Sequence, residues 1–156
     1  MRTVEGDLVA SGLRIALVAS RFNEAIVERL IDGAVQALAD CGADVGAALL
    51  VRVPGAFDLP PVVRRLAESR AYDAVVALGA VIRGDTAHFD YVAGECAAGL
   101  ARVANDTGVP VAFGVLTTNT DEQAEERAGG RHGNKGADAA RAAIELANLM
   151  RKLPRT

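Results

Sequence analysis

The chain has 156 residues, 51% of them hydrophobic, and carries 17 lysines and arginines against 20 aspartates and glutamates, a net charge of −3. This length and apolar content predict one domain over residues 1–156, because a chain of this size buries one core and leaves little room for a second. The mixed charges exclude a broad cationic face, so neither nucleic acid nor an anionic membrane is an expected partner.

Apolar, β-rich runs predict four strands, and a patternless extended arm at residues 1–12 precedes them. The runs are residues 13–19, 45–53, 74–82 and 111–116. Hydrophobicity in these runs is continuous rather than alternating, which is typical of strands covered on both faces. The sequence therefore predicts a parallel sheet between two layers of helices, an α/β sandwich.

Helical spacing follows each of these runs. The predicted helices are residues 24–41, 60–69, 89–107, 121–128 and 135–151. Thr120 and Gln123 have the form of a capping box at the start of the fourth helix. Gly42 follows the first helix and Gly108 follows the third, as expected where helices end.

The sequence also indicates where the protein is located. The longest apolar runs fall short of the roughly 20 residues that a membrane-spanning helix needs, and residues 1–7 show no signal-peptide pattern. A cytoplasmic location is therefore expected.

Cys41 and Cys96 stand in predicted helices without CxxC spacing, and are interpreted as buried free thiols. No metal is expected, because His88 and His132 are the only histidines and catalytic zinc usually takes three protein ligands.

Ligands of an open parallel sheet bind beyond the carboxyl ends of its strands, where loops lead into helix N-termini. The predicted loops at this edge are residues 20–23, 54–58, 83–88 and 117–120. In the third loop, Gly84 lets the backbone approach a ligand, Thr86 offers a hydroxyl, and the next helix directs its positive end to the same place. This loop is a candidate phosphate site.

Two nucleotide motifs are excluded. Residues 79–86 read GxxxxG followed by Asp85 and Thr86, but Asp85 stands where an ATP-binding loop needs lysine, and Gly79 lies inside a predicted strand. No GxGxxG follows any strand, and no acid stands at the spacing of a ribose ligand. Neither ATP nor NAD is expected.

Five side chains near these loops are functional candidates, each with a plainer alternative. His88 opens a helix and is a candidate general acid or base, or a residue that only caps or packs there. Phe22 and Phe57 are loop rings on which a flat heterocycle could stack, or plugs of the core. Arg127 and Lys135 flank a glycine-rich turn and could grip a phosphate, or be solvated surface charges.

These residues occur in motifs that resemble those of the 6,7-dimethyl-8-ribityllumazine synthases, and the resemblance covers nearly the whole chain. The motifs are RFN at 21–23, VPGAFDLP at 53–60, GAVIRGDT at 79–86, HFDYV at 88–92, FGVLTTNT at 113–120, EQA at 122–124 with Arg127, and GNKG at 133–136. The resemblance implies a three-layer αβα sandwich around a four-stranded parallel, flavodoxin-like sheet with an extended N-terminal arm.

The resemblance also implies a transferase of riboflavin biosynthesis. It would condense 5-amino-6-ribitylaminouracil with 3,4-dihydroxy-2-butanone 4-phosphate through an imine, release phosphate and close a ring, without a cofactor. The implied substrate-binding residues are Phe22, Asn23, Gly55, Ala56, Phe57, Asp58, Val81, Ile82 and Phe113. The implied phosphate-binding residues are Gly84, Asp85, Thr86, Arg127 and Lys135. His88 would be catalytic, and Phe113, Arg127 and Lys135 would come from a neighbouring subunit.

One position departs from the family's pattern. Asp58 stands where the family usually has Glu. Because Asp is one methylene shorter, its bond to the ribityl chain is expected either to be direct or to run through water.

The quaternary structure follows from the resemblance alone. The family forms pentamers, some of which close into icosahedral shells. The glycine-rich segment 129–134 resembles the kink of shell formers, so a shell is expected.

Two other functions remain open at this point. An archaeal-type riboflavin synthase would use the lumazine itself and would not consume the butanone phosphate. A noncatalytic flavodoxin-like module would bind a flavin or phosphate ligand through Phe22, Phe57 and Gly84 without needing His88. Lumazine fluorescence and phosphate release from the two proposed substrates would separate these possibilities.

Overall fold

The computed structural model describes residues 1–155, and Thr156, the last residue of the predicted domain, lies outside the described residues. Four parallel strands form its main sheet. They are Ile15–Ser20 (β1), Leu49–Val53 (β2), Ala74–Ile82 (β3) and Val111–Thr118 (β4), in the order β2-β1-β3-β4. The predicted parallel, flavodoxin-like sheet is confirmed.

Five α-helices cover the two faces of this sheet. They are Glu24–Asp40 (α1), Leu59–Glu68 (α2), His88–Thr107 (α3), Asp121–Glu126 (α4) and Lys135–Lys152 (α5). Apolar residues of α1 and α5 pack on one face, and those of α2 and α3 pack on the other. The three-layer αβα sandwich is therefore confirmed, and each predicted helix is present with ends that differ by at most two residues.

Two segments differ from the sequence prediction. The predicted strand 45–53 begins only at Leu49, because Val45–Ala47 close a 3₁₀ turn in which Ala48 N donates to Val45 O at 3.1 Å. The glycine-rich turn after α4 contains a short antiparallel ribbon, Ala128–Gly130 (β5) and Gly133–Asn134 (β6). Such short ribbons have no hydrophobic periodicity, so the sequence pattern did not reveal this one.

The N-terminal arm has no helix or strand over residues 1–12, as predicted, and it packs along α5. Asn148 Nδ2 donates to Asp7 O at 3.0 Å and to Val9 O at 2.9 Å. Lys152 Nζ donates to Glu5 O at 2.9 Å. The arm is therefore anchored on the last helix of its own chain.

The cysteine prediction is correct for one residue only. Cys96 is fully buried in α3, and burial raises the pKa of its thiol to about 11. Cys41 is only half-buried, because α1 ends at Asp40 and leaves it in the following turn. Both thiols are free. Among the helices of residues 1–155, none is both long enough and apolar enough to cross a membrane.

Helices α1 and α5 touch through small residues and one asparagine. The Asn134 side chain caps α5 by accepting from Ala137 N at 3.0 Å, and its Nδ2 donates to Arg29 O of α1 at 3.0 Å. A methyl group on Gly136 would overlap the carbonyl oxygen of Leu30. Gly136 and Asn134 of the GNKG motif therefore serve the close approach of these two helices.

We expect Gly136→Ala to lower the free energy of unfolding by about 3 kcal/mol, because the added methyl group forces two backbones apart. Thermal denaturation followed by circular dichroism measures the effect. Gly94→Ala is a matched control, since Gly94 lies within α3 and has open space where the methyl group would be. It should leave Tm unchanged or raise it, because alanine is the better helix former. Equal Tm values for both variants would contradict this account of the contact.

Candidate functional site

The first two loops at the carboxyl edge of the sheet are joined through their backbones. Arg21 N donates to Val53 O at 2.8 Å, and Phe22 N donates to Pro54 O at 3.0 Å. These bonds continue the β1–β2 ladder beyond the ends of the strands. The Phe22 loop and the Phe57 loop therefore open onto the same space.

That space is a cleft of about 680 Å³, which we call the first cleft. Its lining includes most of the predicted site residues: Phe22, Asn23, Gly55, Ala56, Phe57, Asp58, Val81, Ile82, Gly84, Thr86 and His88. They come from the end of β3, from the loops after β1, β2 and β3, and from the start of α3. Three of the four predicted strand-end loops thus meet at this cleft, whereas no residue of the fourth, 117–120, lines it.

The two loop rings are open to solvent. Phe22 is 72% exposed and Phe57 is 60% exposed, so the alternative that they fill the core is wrong. A 3₁₀ turn at Ala56–Asp58 explains the orientation of Phe57, because it directs Ala56 into the core, at 6% exposure, and its neighbour outward. Exposed rings facing a cleft provide apolar surface on which a flat heterocycle can stack.

Two polar side chains of the first cleft are held by the backbone. Asn23 has a left-handed conformation, with φ of 61°, and its Nδ2 donates to Ala80 O at 2.9 Å. Asp58 Oδ2 accepts from Gly55 N at 3.0 Å and so closes the Gly55–Asp58 turn. One carboxylate oxygen of Asp58 is thus already engaged. The shorter acid at this position has a structural role in its own loop.

The phosphate-loop candidate, residues 83–87, leads directly into α3. This helix begins at His88, one residue earlier than predicted, and His88 N lies 3.4 Å from the hydroxyl oxygen of Thr86. The space beside the Gly84 α-carbon is open, as a close approach of ligand to backbone requires. His88 is exposed and lines the cleft, so it is not a packed histidine. Asp85 is exposed in the same loop but does not line the cleft.

Four lining residues were not among the candidates drawn from the sequence. They are Ala80, Phe89, Tyr91 and Val92. For two of them a signal was available: Tyr91 and Val92 follow His88 by three and four residues, so they lie on the same helical face as the imidazole. Tyr91 is 72% exposed. It adds a third solvent-facing ring to the wall of the cleft.

The remaining predicted residues lie elsewhere on the chain. Phe113, Arg127 and Lys135 line a second cleft of about 520 Å³, formed by the edge strand β4 with α4 and the start of α5. Thr117, Thr118, Gln123, His132 and Asp138 also line it. No residue among the described ones lines both clefts. Within one chain, the cations are therefore separated from the phosphate-loop candidate.

Arg127 is fixed at the rim of the second cleft. Its guanidinium donates to Gln123 O at 3.0 Å and lies 3.7 Å from a carboxylate oxygen of Glu126. Lys135 N donates to Arg127 O at 2.8 Å, which keeps the two cations adjacent. Glu126 also pairs with Arg131 at 2.9 Å. Sequence reasoning missed the role of Glu126, because an acid within a charged helix has no distinguishing pattern.

The residues described here do not form a metal centre. No group of three or more histidine, cysteine, aspartate or glutamate side chains is arranged to hold a metal ion within residues 1–155. The residues that line the first cleft offer stacking, backbone and side-chain hydrogen bonding, and proton transfer by His88.

Comparison with known proteins places this geometry in a family. The profile of the 6,7-dimethyl-8-ribityllumazine synthase family matches residues 12–151. A protein named 6,7-dimethyl-8-ribityllumazine synthase, from Nitratidesulfovibrio vulgaris (strain DSM 19637 / Miyazaki F), is 52% identical over 153 residues, which cover 98% of each chain. Of the three functions that the sequence left open, these matches favour the synthase. The chain belongs to the 6,7-dimethyl-8-ribityllumazine synthase family.

Proposed function

We propose that the first cleft binds both substrates of lumazine synthesis and that the second cleft of a neighbouring subunit completes it. The enzyme is a transferase of riboflavin biosynthesis, which condenses 5-amino-6-ribitylaminouracil with 3,4-dihydroxy-2-butanone 4-phosphate to 6,7-dimethyl-8-ribityllumazine. The observation that carries the site assignment is the meeting of exposed rings, a histidine and an open glycine loop in one cleft. Residues 1–156 would act as one domain.

The pyrimidine end of the cleft is assigned to its first two loops. Phe22 would stack on the ring, and Phe57 would close its side, since both are exposed to the cleft. The polar edge of the ring and the ribityl chain would be held by Asn23 and by the backbone of Gly55–Asp58. Because Asp58 Oδ2 already accepts from Gly55 N, its other oxygen is the freer acceptor for the ribityl chain. Val81 and Ile82 would form the apolar floor.

The phosphate end is assigned to Gly84, Asp85 and Thr86. Asp85 would contribute its backbone N–H, because its carboxylate would repel a phosphate. This loop of the described chain carries no cation turned into the first cleft. Arg127 and Lys135 of the adjacent subunit would supply the missing positive charge, with Phe113 closing the aromatic side. A departing phosphate is stabilised by such fixed cations and amides.

His88 would move protons at the reacting carbon. The primary amine attacks the ketone carbonyl, and loss of water to form the imine needs a proton delivered to the leaving oxygen. Removal of the proton from the carbon that bears the hydroxyl group then expels phosphate and leaves an enol, which tautomerises to a second carbonyl. The ribitylamino nitrogen attacks this carbonyl, and loss of a second water closes the ring. The imidazole can serve both transfers from its position beside the phosphate loop. Holding amine and ketone in attack geometry supplies most of the acceleration.

A single incubation tests the function. The purified protein is mixed with both substrates, and lumazine fluorescence and inorganic phosphate are followed together. Equal amounts of lumazine and phosphate are expected. Consumption of added lumazine without use of the butanone phosphate would indicate a riboflavin synthase instead. Binding of flavin without turnover would indicate a noncatalytic module.

We expect His88→Ala to lower kcat by about 10- to 100-fold without abolishing turnover, because general acid–base catalysis is secondary here to positioning. The KM of each substrate should change little. Steady-state kinetics with both substrates measures this, and an unchanged Tm controls for folding. A variant with the parental kcat would remove His88 from the mechanism.

The proposed assembly is a pentamer, and a shell of pentamers beyond it, in the cytoplasm. The positive φ angles of Gly129 and Gly133, 94° and 80°, support the sharp bend expected in the glycine-rich segment of shell formers. Exposure of Phe113 on the edge strand, at 37%, supports a covering neighbour. Analytical ultracentrifugation should detect a particle much larger than a pentamer. Sedimentation of a pentamer alone would contradict the shell.

A further inference from the structure

The loop proposed to hold phosphate has few bonds of its own. Residues 84–88 are all exposed, and a methyl group on Gly84 would meet no atom within 4 Å. The contact of Thr86 with His88 N, at 3.4 Å, is long. The loop is nevertheless required to present its backbone N–H groups to an anion in a fixed arrangement. A side chain next to residues 84–88 must therefore hold this segment.

Arg83 has the contacts needed for this role. Its backbone N donates to Thr118 O at 2.8 Å, which fastens the start of the loop to β4. Its guanidinium carbon lies 4.5 Å from the ring centroid of Phe89, and one terminal nitrogen lies 3.5 Å from Asp90 Oδ1. Its Nε donates to Asn119 Oδ1 at 3.1 Å. One side chain thus joins both ends of the loop to the segment after β4.

The far end of this connection is itself fixed. Asn119 N donates to Gln123 Oε1 at 2.8 Å, and Gln123 N donates to the hydroxyl oxygen of Thr120 at 3.1 Å, at the N-terminus of α4. The hydrogen bond from Arg83 to Asn119 therefore connects the phosphate loop to the capped N-terminus of α4. Arg83 does not itself line the first cleft in the described part of the chain. Its influence on a ligand would pass through the loop.

We propose that Arg83 is a positioning residue for phosphate binding, which holds residues 84–87 in place through Phe89, Asp90 and Asn119. This inference rests on the proposed phosphate site. The planar guanidinium is required because it stacks on one group while it bonds two others, which a lysine ammonium cannot do. A displacement of the loop by about 1 Å is enough to weaken binding of a group it must contact closely.

The test uses the assembled full-length enzyme and measures KM for each substrate, kcat, and the inhibition constant of inorganic phosphate. Arg83→Gln should raise both the KM for the butanone phosphate and the phosphate inhibition constant about tenfold. The KM for the pyrimidine should stay unchanged. Arg83→Lys should show the same defect, although it keeps the charge. Full activity of Arg83→Lys would overturn positioning in favour of charge alone.

The Asn119 contact is tested with two substitutions. Asn119→Asp keeps an oxygen acceptor and should leave the kinetics close to the parental values, whereas Asn119→Leu should reproduce part of the Arg83→Gln defect, because it removes one of the three Arg83 contacts. The double variant Arg83→Gln/Asn119→Leu should be no worse than Arg83→Gln alone, because Arg83→Gln already removes the contact with Asn119. Additive losses would overturn the proposed connection.

Two controls separate this inference from the site assignment. Arg64→Gln removes another arginine that bonds two side chains, Glu68 of its own helix α2 at 3.2 Å and Asp106 of α3 at 2.9 Å. Arg64→Gln should leave kcat, the KM of each substrate and the phosphate inhibition constant unchanged. Thr86→Ala tests the phosphate loop itself. A raised KM for the butanone phosphate in Thr86→Ala but not in Arg83→Gln would overturn only the role of Arg83. No change in either variant would overturn the phosphate site as well.

Discussion

Replacement of Arg127 with alanine should raise the KM for 3,4-dihydroxy-2-butanone 4-phosphate by about a hundredfold and leave the KM for the pyrimidine unchanged. A hydrogen bond to a charged group contributes about 2 to 3 kcal/mol, and about 1.4 kcal/mol corresponds to a tenfold change in binding. Arg127 is held by Gln123 O and Glu126, so little of its binding energy is lost in ordering the side chain. Steady-state kinetics with each substrate varied in turn measures the effect.

Arg131→Ala provides the matched control for this substitution. Arg131 is close in sequence, pairs with the same carboxylate of Glu126 at 2.9 Å, and is 73% exposed. Because an exposed ion pair of this kind contributes little, its loss should change either KM by no more than about twofold. Arg127→Lys should fall between the two, since lysine keeps the charge but not the planar fork. A parental KM in Arg127→Ala would show that the phosphate is gripped elsewhere.

The sequence predicted the sheet and the first cleft for a clear physical reason. Strands covered on both faces must be hydrophobic throughout, and ligand sites of parallel sheets lie at their carboxyl ends, so β3 and the loops around it could be located without coordinates. The segment 45–53 was harder, because β2 lies at the edge of the sheet and the apolar run continues through a 3₁₀ turn that precedes it. Hydrophobicity alone does not separate a strand from the turn that leads into it.

Contacts between distant residues could not be predicted in the same way. The bond from Arg83 to Asn119 joins residues 36 positions apart, and no local pattern marks either of them as a partner. Periodicity describes each element, whereas these contacts depend on how the ends of separate elements meet. The assignment of Phe113 and Arg127 to a neighbour came from resemblance to a family and not from the residues themselves.

A subunit-sharing site makes a second strong prediction. A chain with Phe22→Ala and His88→Ala has a defective first cleft but an intact second cleft. A chain with Arg127→Ala has an intact first cleft and a defective second cleft. Each variant alone should be nearly inactive at low concentrations of butanone phosphate. Co-expressing the two chains, with different affinity tags, and purifying on both tags in succession gives particles that contain both kinds of subunit.

These mixed particles should regain activity. If chains assemble at random in equal amounts around a ring, about a quarter of the first clefts belong to an Arg127→Ala chain and face an intact Arg127 on the neighbour. Activity should therefore approach about a quarter of the parental value, far above that of either variant. Mixing the two assembled proteins without subunit exchange is the control and should stay inactive. Because a site contained within one chain would never be restored by a second defective chain, mixed particles no more active than the average of the two variants would show that each subunit works alone.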